Sequence, residues 1–483
     1  MSSGNSIIEH HFENVFQSEE LLKKCSTSAI EEAKKQNFFF QWYDDDESRK
    51  PYDKMAPFCL FPSRIPVDVM RRVNQVCPDF HKLHHNVSFD FDFVKKGLDS
   101  VTKTDSFVEK LFGIYERASK AVNREDRYEL SITRADYMVT KTAEGIQLPK
   151  LLEWSVSGWG FGVASFLEQI YKRSLQEAKI RFEQGFGGTD MTLRLAKMFI
   201  KTLKLHNNSN AGILIVVCEQ YFGLIECYDL KDKIFKIYHD VFVDILTLQE
   251  VSKNVTLGGQ KELLVNGREY GVVFLLTGFE EHEYQTEQDW FARELMEYST
   301  AILCPNIFHS IVELNKIMEV MSRPKHMEKY VDDAEARLIR NALVKYRTLE
   351  QGNAGDMNAK LGITNPHEYV LKDQREGGVK YFREDVKEIL ENLQGTHERG
   401  QYILVDYIKP VVGKNVMIFS DENPDLTVVN TVTEIATFGA FLTKGRNILA
   451  NECFGNISRT KNYGVDAIST SKGNFALDLI LTT

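Results

Sequence analysis

Ile213-Leu214-Ile215-Val216-Val217 is a run of aliphatic residues with no polar face. A strand with one side in water alternates apolar and polar residues. Five aliphatics in succession need cover on both sides, as in a parallel sheet flanked by helices. The run therefore predicts a mixed α/β fold, and a new unit beginning near Asn210. Downstream, Asn266-Gly267 joins Leu263-Leu264-Val265 to Tyr270-Gly271-Val272-Val273-Phe274, a type I′ hairpin signal. A helix from about Thr286 carries Trp290, Phe291 and Leu295, and Cys304-Pro305 closes the unit.

The 483 residues leave room around that unit for roughly two or three domains, or one large α/β body with insertions. A formal net charge of −10 argues against nucleic acid as the main partner, because phosphate neutralisation needs a basic surface. No apolar run approaches the ~20 residues of a membrane span. The seven cysteines are scattered without metal spacing and read as reduced thiols. A cytoplasmic protein is the default expectation, unless a leader has been removed.

Before the aliphatic run, Ser18 caps a predicted helix with Leu21, Leu22, Cys25, Ile30 and Ala33 inward; the acidic run Asp44 to Glu47 reads as a solvated loop and Ala56 to Ser63 as extended, and helical patterns then dominate to about Val122. His81, His84 and His85 can share a helix face, either as metal ligands or as solvated surface histidines. Strand-like pieces carrying Arg134 to Met138 and Lys150 to Ser155 are joined through Glu144-Gly145, a hairpin that brings Arg134 and Glu153 near one another. Glu153, ahead of the glycine-rich run 158–162, reads as a metal ligand or as an ordinary edge residue. Gly185 to Asp190 is taken as linker plus helix cap, with a phosphate loop as the alternative.

After a helical stretch from Glu313 to Val344 comes Tyr369-Val370-Leu371-Lys372-Asp373-Gln374-Arg375-Glu376-Gly377-Gly378: a short strand, a lysine, a carboxylate and a glycine pair. The order suits a nucleoside triphosphate, with lysine for phosphate, carboxylate for Mg²⁺ and a turn free of side chains for backbone approach. A Gly-Gly turn between strand and helix is also ordinary punctuation. Further strands are predicted at Tyr402 to Val405 and at Val428 to Leu442, the latter carrying Glu434.

Several landmarks lie in one order: Ala56-Pro57-Phe58, Leu60-Phe61-Pro62-Ser63, Arg134 with Asp136-Tyr137-Met138, Glu153, Cys304-Pro305, Ser322-Arg323-Pro324, Lys372, Gln374 to Gly378, Tyr402-Ile403-Leu404, Glu434 and Arg459-Thr460-Lys461. From about Met55 to near the C-terminus this closely resembles eukaryotic glutathione synthetase. The resemblance implies an ATP-grasp fold with a main body at 1–209 and 314–483, an inserted parallel-sheet substrate domain at 210–313 and a lid at about 346–428. It also implies a homodimer that uses ATP and Mg²⁺ to join small-molecule substrates, γ-glutamylcysteine and glycine, through an acyl phosphate. By the same resemblance Glu153 and Glu376 are magnesium ligands. Lys316, Lys372 and Lys461 contact the nucleotide, Gly377 and Gly378 form the lid loop, and Glu434 is a nucleotide contact. The segment 404–408 lines the adenine pocket, with Val405 and Ile408 contributing backbone. Arg134 and Arg459 are the positive groups facing peptide and transferred phosphoryl.

Departures from the family pattern cluster on the peptide side. Where the family carries an Asn magnesium ligand and two serines, this chain has Ser155, Gly158 and Gly160. Glu-Arg-Asn with a nearby Gln becomes Tyr221-Phe222-Gly223 with Cys227. A substrate-clamping Arg is Leu276, a neighbouring Tyr is Phe279, and the lid loop Gly377-Gly378-Val379-Lys380 is one residue short. Three readings follow: a glutathione synthetase-like ligase with a remodelled peptide pocket, a working glutathione synthetase, or a non-catalytic binding protein on the same scaffold.

Overall fold

The computed structural model describes residues 12–42, 52–180, 191–221, 223–375, 377–468 and 473–483. Glu376, Phe222, the 185–190 segment and the acidic run 44–47 lie outside the described residues.

Three sheets frame the molecule. The largest runs Met417–Ile418, Phe58–Cys59, Phe475–Asp478, Asn447–Asn462, Val429–Lys444, Tyr128–Lys141, Gln147–Ser155 and is antiparallel except where Phe475–Asp478 meets Phe58–Cys59. Its three long strands set the register of the charged residues: Asp136 faces Glu153 and Ala436, and Glu434 faces both Met138 and Arg459. Side chains alternate across a pleated sheet. Ala135, Tyr137 and Val139 therefore enter one apolar core, while Arg134, Asp136 and Met138 point the other way into a cavity.

The second sheet is built on Gly212–Val217, all of it buried and paired in parallel with Val243–Thr247 and Arg268–Leu276, as its unbroken apolar run demands. The hairpin at Asn266-Gly267 forms with Val265 opposite Arg268 and positive φ at both turn residues, 53° and 75°. The next helix, Glu287–Tyr298, carries Trp290 buried and Phe291 exposed.

The third sheet, Tyr346–Thr348, Ile403–Asp406, Tyr369–Lys372, Lys380–Phe382, packs the helices Asn353–Thr364 and Glu384–Asn392 around a small core of Leu349, Ala359, Leu371, Val386, Leu390 and Leu404. Each fully buried leucine here contributes about 1.5–3 kcal/mol of transfer free energy. That gives this layer an apolar core of its own.

The histidines of helix Val67–Ser88 are a correction. His81, His84 and His85 are not on the surface but buried, at 2%, 4% and 1% exposure. His84 stacks on Trp154 with ring centroids 4.6 Å apart, and His81 is held by Thr133 and Asn451 at 2.6 and 2.7 Å. Burial pushes both imidazoles down to about 4, so they are neutral at physiological pH.

Candidate active site

A cavity of about 1110 Å³ is lined from all three sheets. It gathers Arg134, Glu153, Lys372, Gly377, Gly378, Val405, Ile408, Glu434, Arg459 and Lys461, residues spread over more than three hundred positions of sequence. Leu276 and Phe279 form part of its wall, with Tyr221 and Trp159.

The cations at its base are held by internal carboxylates. Asp136 accepts from Arg134 Nε and Nη2 at 3.1 Å each, and from Arg459 Nη2 at 2.6 Å. Burial alone would raise the Asp136 pKa. The two guanidiniums outweigh that and hold it below the ordinary carboxylate value. Glu434 accepts from Lys461 Nζ at 2.7 Å and lies 3.7 Å from Arg459. Both arginines lie over the Trp159 ring, at 4.7 and 5.7 Å. Arg459 Nε is buried without an acceptor, a donor left free for an anion entering the cavity.

Glu153 stands at the mouth of the same cluster. Its Oε2 accepts from Lys380 Nζ at 3.0 Å, whereas its Oε1 is shut off from solvent and accepts no hydrogen bond. A buried carboxylate oxygen without a donor costs free energy unless something cationic meets it. Lys372 donates its Nζ to the carbonyl of Leu152, beside Glu153. Burial, and secondarily the charge of Lys380, push the Lys372 pKa down to about 8. The loop that follows is organised by Asp373, whose oxygens accept from the amides of Arg375 at 3.0 Å and Val379 at 2.9 Å. A Cβ on Gly378 would lie 2.0 Å from that carboxylate, so this position of the turn excludes other residues.

Other expected site residues are placed elsewhere. Lys316 Nζ is buried between Glu319 and Glu350, each 3.1 Å away, and does not join the lysines in the cavity. Two carboxylates already neutralise it. Ser155, Gly158, Gly160, Gly223 and Cys227 are not among the cavity-lining residues. For Gly160 the reason is Glu226, which no sequence pattern singled out. Its fully buried carboxylate accepts from the amides of Gly160 at 3.0 Å and Gly162 at 3.1 Å, and from Tyr221 Oη at 2.6 Å. A Cβ on Gly162 would lie 2.4 Å from the Glu226 Cβ, and Gly160 sits at φ +93°. The glycine-rich loop thus folds around a carboxylate of the chain itself. Burial keeps that carboxylate's pKa above the ordinary value.

The donor set fits a magnesium nucleotide. Glu153 Oε1 lacks a partner, and Lys372, Lys380, Lys461 and Arg459 line the cavity beside a glycine turn, the kind of donors that phosphate oxygens accept. No membrane-spanning helix is present among the described residues.

These elements define a mixed α/β protein with a glutathione synthetase-like fold. The fold is similar to that of a glutathione synthetase-like effector from Globodera pallida in its apo form, with a TM-score of 0.77 at 18% identity over 97% of this chain and 99% of that one. A family profile described as eukaryotic glutathione synthase, ATP binding domain, matches residues 19–481. The chain belongs to that family. It is 28% identical to glutathione synthetase of Xenopus laevis over 474 residues, 96% of this chain and 97% of the relative. Glutathione synthetase of Homo sapiens is 26% identical over 454 residues, 93% of this chain and 94% of the relative. Membership in a family with an ATP-binding domain implies ATP use.

Proposed function

We propose that the chain is a Mg²⁺-ATP-dependent carboxylate–amine ligase of the glutathione synthetase type, with a peptide pocket remodelled away from ordinary use of γ-glutamylcysteine and glycine. The observation that carries the nucleotide half is the unpartnered Glu153 Oε1 within a ring of lysines and arginines. Leu276 and Phe279 support the substrate half, as apolar wall where a carboxylate clamp would need charge. One charge-assisted hydrogen bond contributes about 1.5–3 kcal/mol, roughly ten- to a hundredfold in affinity. In this reading 1–209 and 314–483 are the main body, 210–313 the substrate unit and 346–428 the lid. Assembly is a homodimer, which light scattering on the purified chain would test.

The chemistry needs positioning and charge neutralisation rather than a covalent nucleophile. Glu153, with Glu376, would hold Mg²⁺, which would draw charge off the phosphate oxygens. Lys372 and Lys461, from two different sheets, would orient the phosphates. Arg459 meets the oxygens on which negative charge grows during transfer, and Arg134 fixes the substrate carboxylate against them. The 377–380 loop, which lines the cavity, would keep water from the activated acyl group.

The test is ADP release with Mg²⁺-ATP, γ-glutamylcysteine and glycine, set against panels of other thiols and amines. Turnover on another pair at least tenfold above the first is the expected result. Ordinary turnover with the first pair would overturn the remodelled pocket. Nucleotide binding with no turnover on any pair would favour a non-catalytic role.

Lys372 gives a second expectation. With a pKa of about 8 it is charged below that pH and neutral above it. Nucleotide affinity should therefore fall as pH rises through about 8, and titration calorimetry across that range should see it. Lys372→Met is expected to bind weakly at every pH and to lose this dependence.

A further inference from the structure

His85, Glu129 and His309 come from three separate elements: helix Val67–Ser88, the start of strand Tyr128–Lys141 and the short helix Ile307–Val312. All three are at most 3% exposed. His85 Nδ1 lies 3.1 Å from His309 Nε2, and Glu129 Oε2 lies 3.8 and 3.5 Å from those two nitrogens. The circle through three points so spaced has a radius of about 2.0 Å, which is the bond length of zinc to imidazole nitrogen or carboxylate oxygen.

The far side of each donor is fixed as in metal centres. His85 Nε2 faces the Gly445 carbonyl at 3.1 Å, so it carries the proton and leaves the Nδ1 lone pair pointing inward. The Ser131 hydroxyl meets His309 Nδ1 at 2.8 Å. Arg124 holds both Glu129 oxygens at 2.8 Å and lies between the Phe89 and Phe308 rings, at 3.8 and 4.0 Å. Two imidazole nitrogens 3.1 Å apart cannot both be protonated. A single bridging proton would satisfy the two rings but not draw in Glu129 Oε2, which accepts from Arg124 Nη2 and lies beyond hydrogen-bond length of either ring. A cation would engage all three donors.

We propose that His85, Glu129 and His309 bind one zinc-class divalent cation, a structural centre that clamps two helices to the main sheet. Two imidazoles and a carboxylate are the borderline donor set zinc favours, with the fourth position open to water. The centre is separate from the nucleotide cavity: Glu129 precedes Arg134 by five residues, about 17 Å along the strand.

The full chain, stripped by chelator, is to be loaded with one equivalent of Zn²⁺ or Co²⁺ in excess Mg²⁺, which occupies the cavity carboxylates. About one zinc per chain is expected after gel filtration, with a raised melting temperature. The Co²⁺ form should show d–d bands and no thiolate charge-transfer band. Retained zinc should fall at least tenfold in His309→Gln and in Glu129→Gln. Should those fail to fold, Ser131→Ala keeps all three donors and is expected to weaken affinity about ten- to a hundredfold. Absence of retained zinc in the wild-type chain, undiminished zinc in the folded variants, or a thiolate band would each overturn the proposal.

Discussion

Glu153→Ala is expected to lower Mg²⁺-dependent ADP release by at least about a hundredfold, the loss of one charge-stabilising group in a phosphoryl-transfer site. The fold should survive it. The Oε1 oxygen makes no hydrogen bond, and what the substitution removes is the Oε2 contact to Lys380, 21% exposed at its side chain, and the charge that favours the ammonium form of buried Lys372. The pair is only partly buried and Glu153→Ala takes away the carboxylate together with its own unmet oxygen, so the stability loss should be small beside the loss of activity. Activity and stability should thus separate, with ADP release collapsing while the urea midpoint stays near the wild-type value. Glu153→Gln sharpens the test, since it keeps shape and an acceptor for Lys380 but cannot hold a divalent cation well. Retention of ordinary turnover by Glu153→Gln would remove the metal assignment, whatever Glu153→Ala does.

What the sequence makes legible here is local or periodic. The aliphatic run 213–217 demands cover on both faces, and Asn266-Gly267 demands positive φ; both signals lie within a few residues. The Lys372 to Gly378 stretch is readable for the same reason. The closing contacts are not. Lys380 reaches Glu153 across 227 positions, and His85 reaches His309 across 224. No periodicity encodes such pairs. Charge alone also cannot tell a lysine that lines the cavity from one buried away from it, as Lys316 is between Glu319 and Glu350. Glu226 was invisible because a carboxylate buried against glycine amides looks, in sequence, like any helical glutamate.

Asp136→Ala should be the most destabilising single change at the site. Asp136 is the shared counter-ion of Arg134 and Arg459, and the three side chains are 3%, 2% and 9% exposed. Removing it leaves two guanidiniums facing one another in a largely dry site, a situation that costs about 3–5 kcal/mol when one member of a buried pair is deleted. The expected measurement is a clear fall in the urea midpoint with unchanged slope. Asp136→Asn, which keeps the shape and one acceptor, should lose less. Because the folded pKa of Asp136 is depressed, its contribution is fully present above the unfolded carboxylate value near 4 and disappears as pH falls through the lower folded value. Wild type should therefore shed this part of its stability only as pH falls below about 4, and Asp136→Ala should lack that acid-dependent loss. Inorganic phosphate separates a counter-ion role from mere packing. An anion able to sit between Arg134 and Arg459 should restore part of the midpoint in Asp136→Ala and little in wild type, where the carboxylate already fills the place. If phosphate stabilises both chains equally, the two arginines are not a paired anion site.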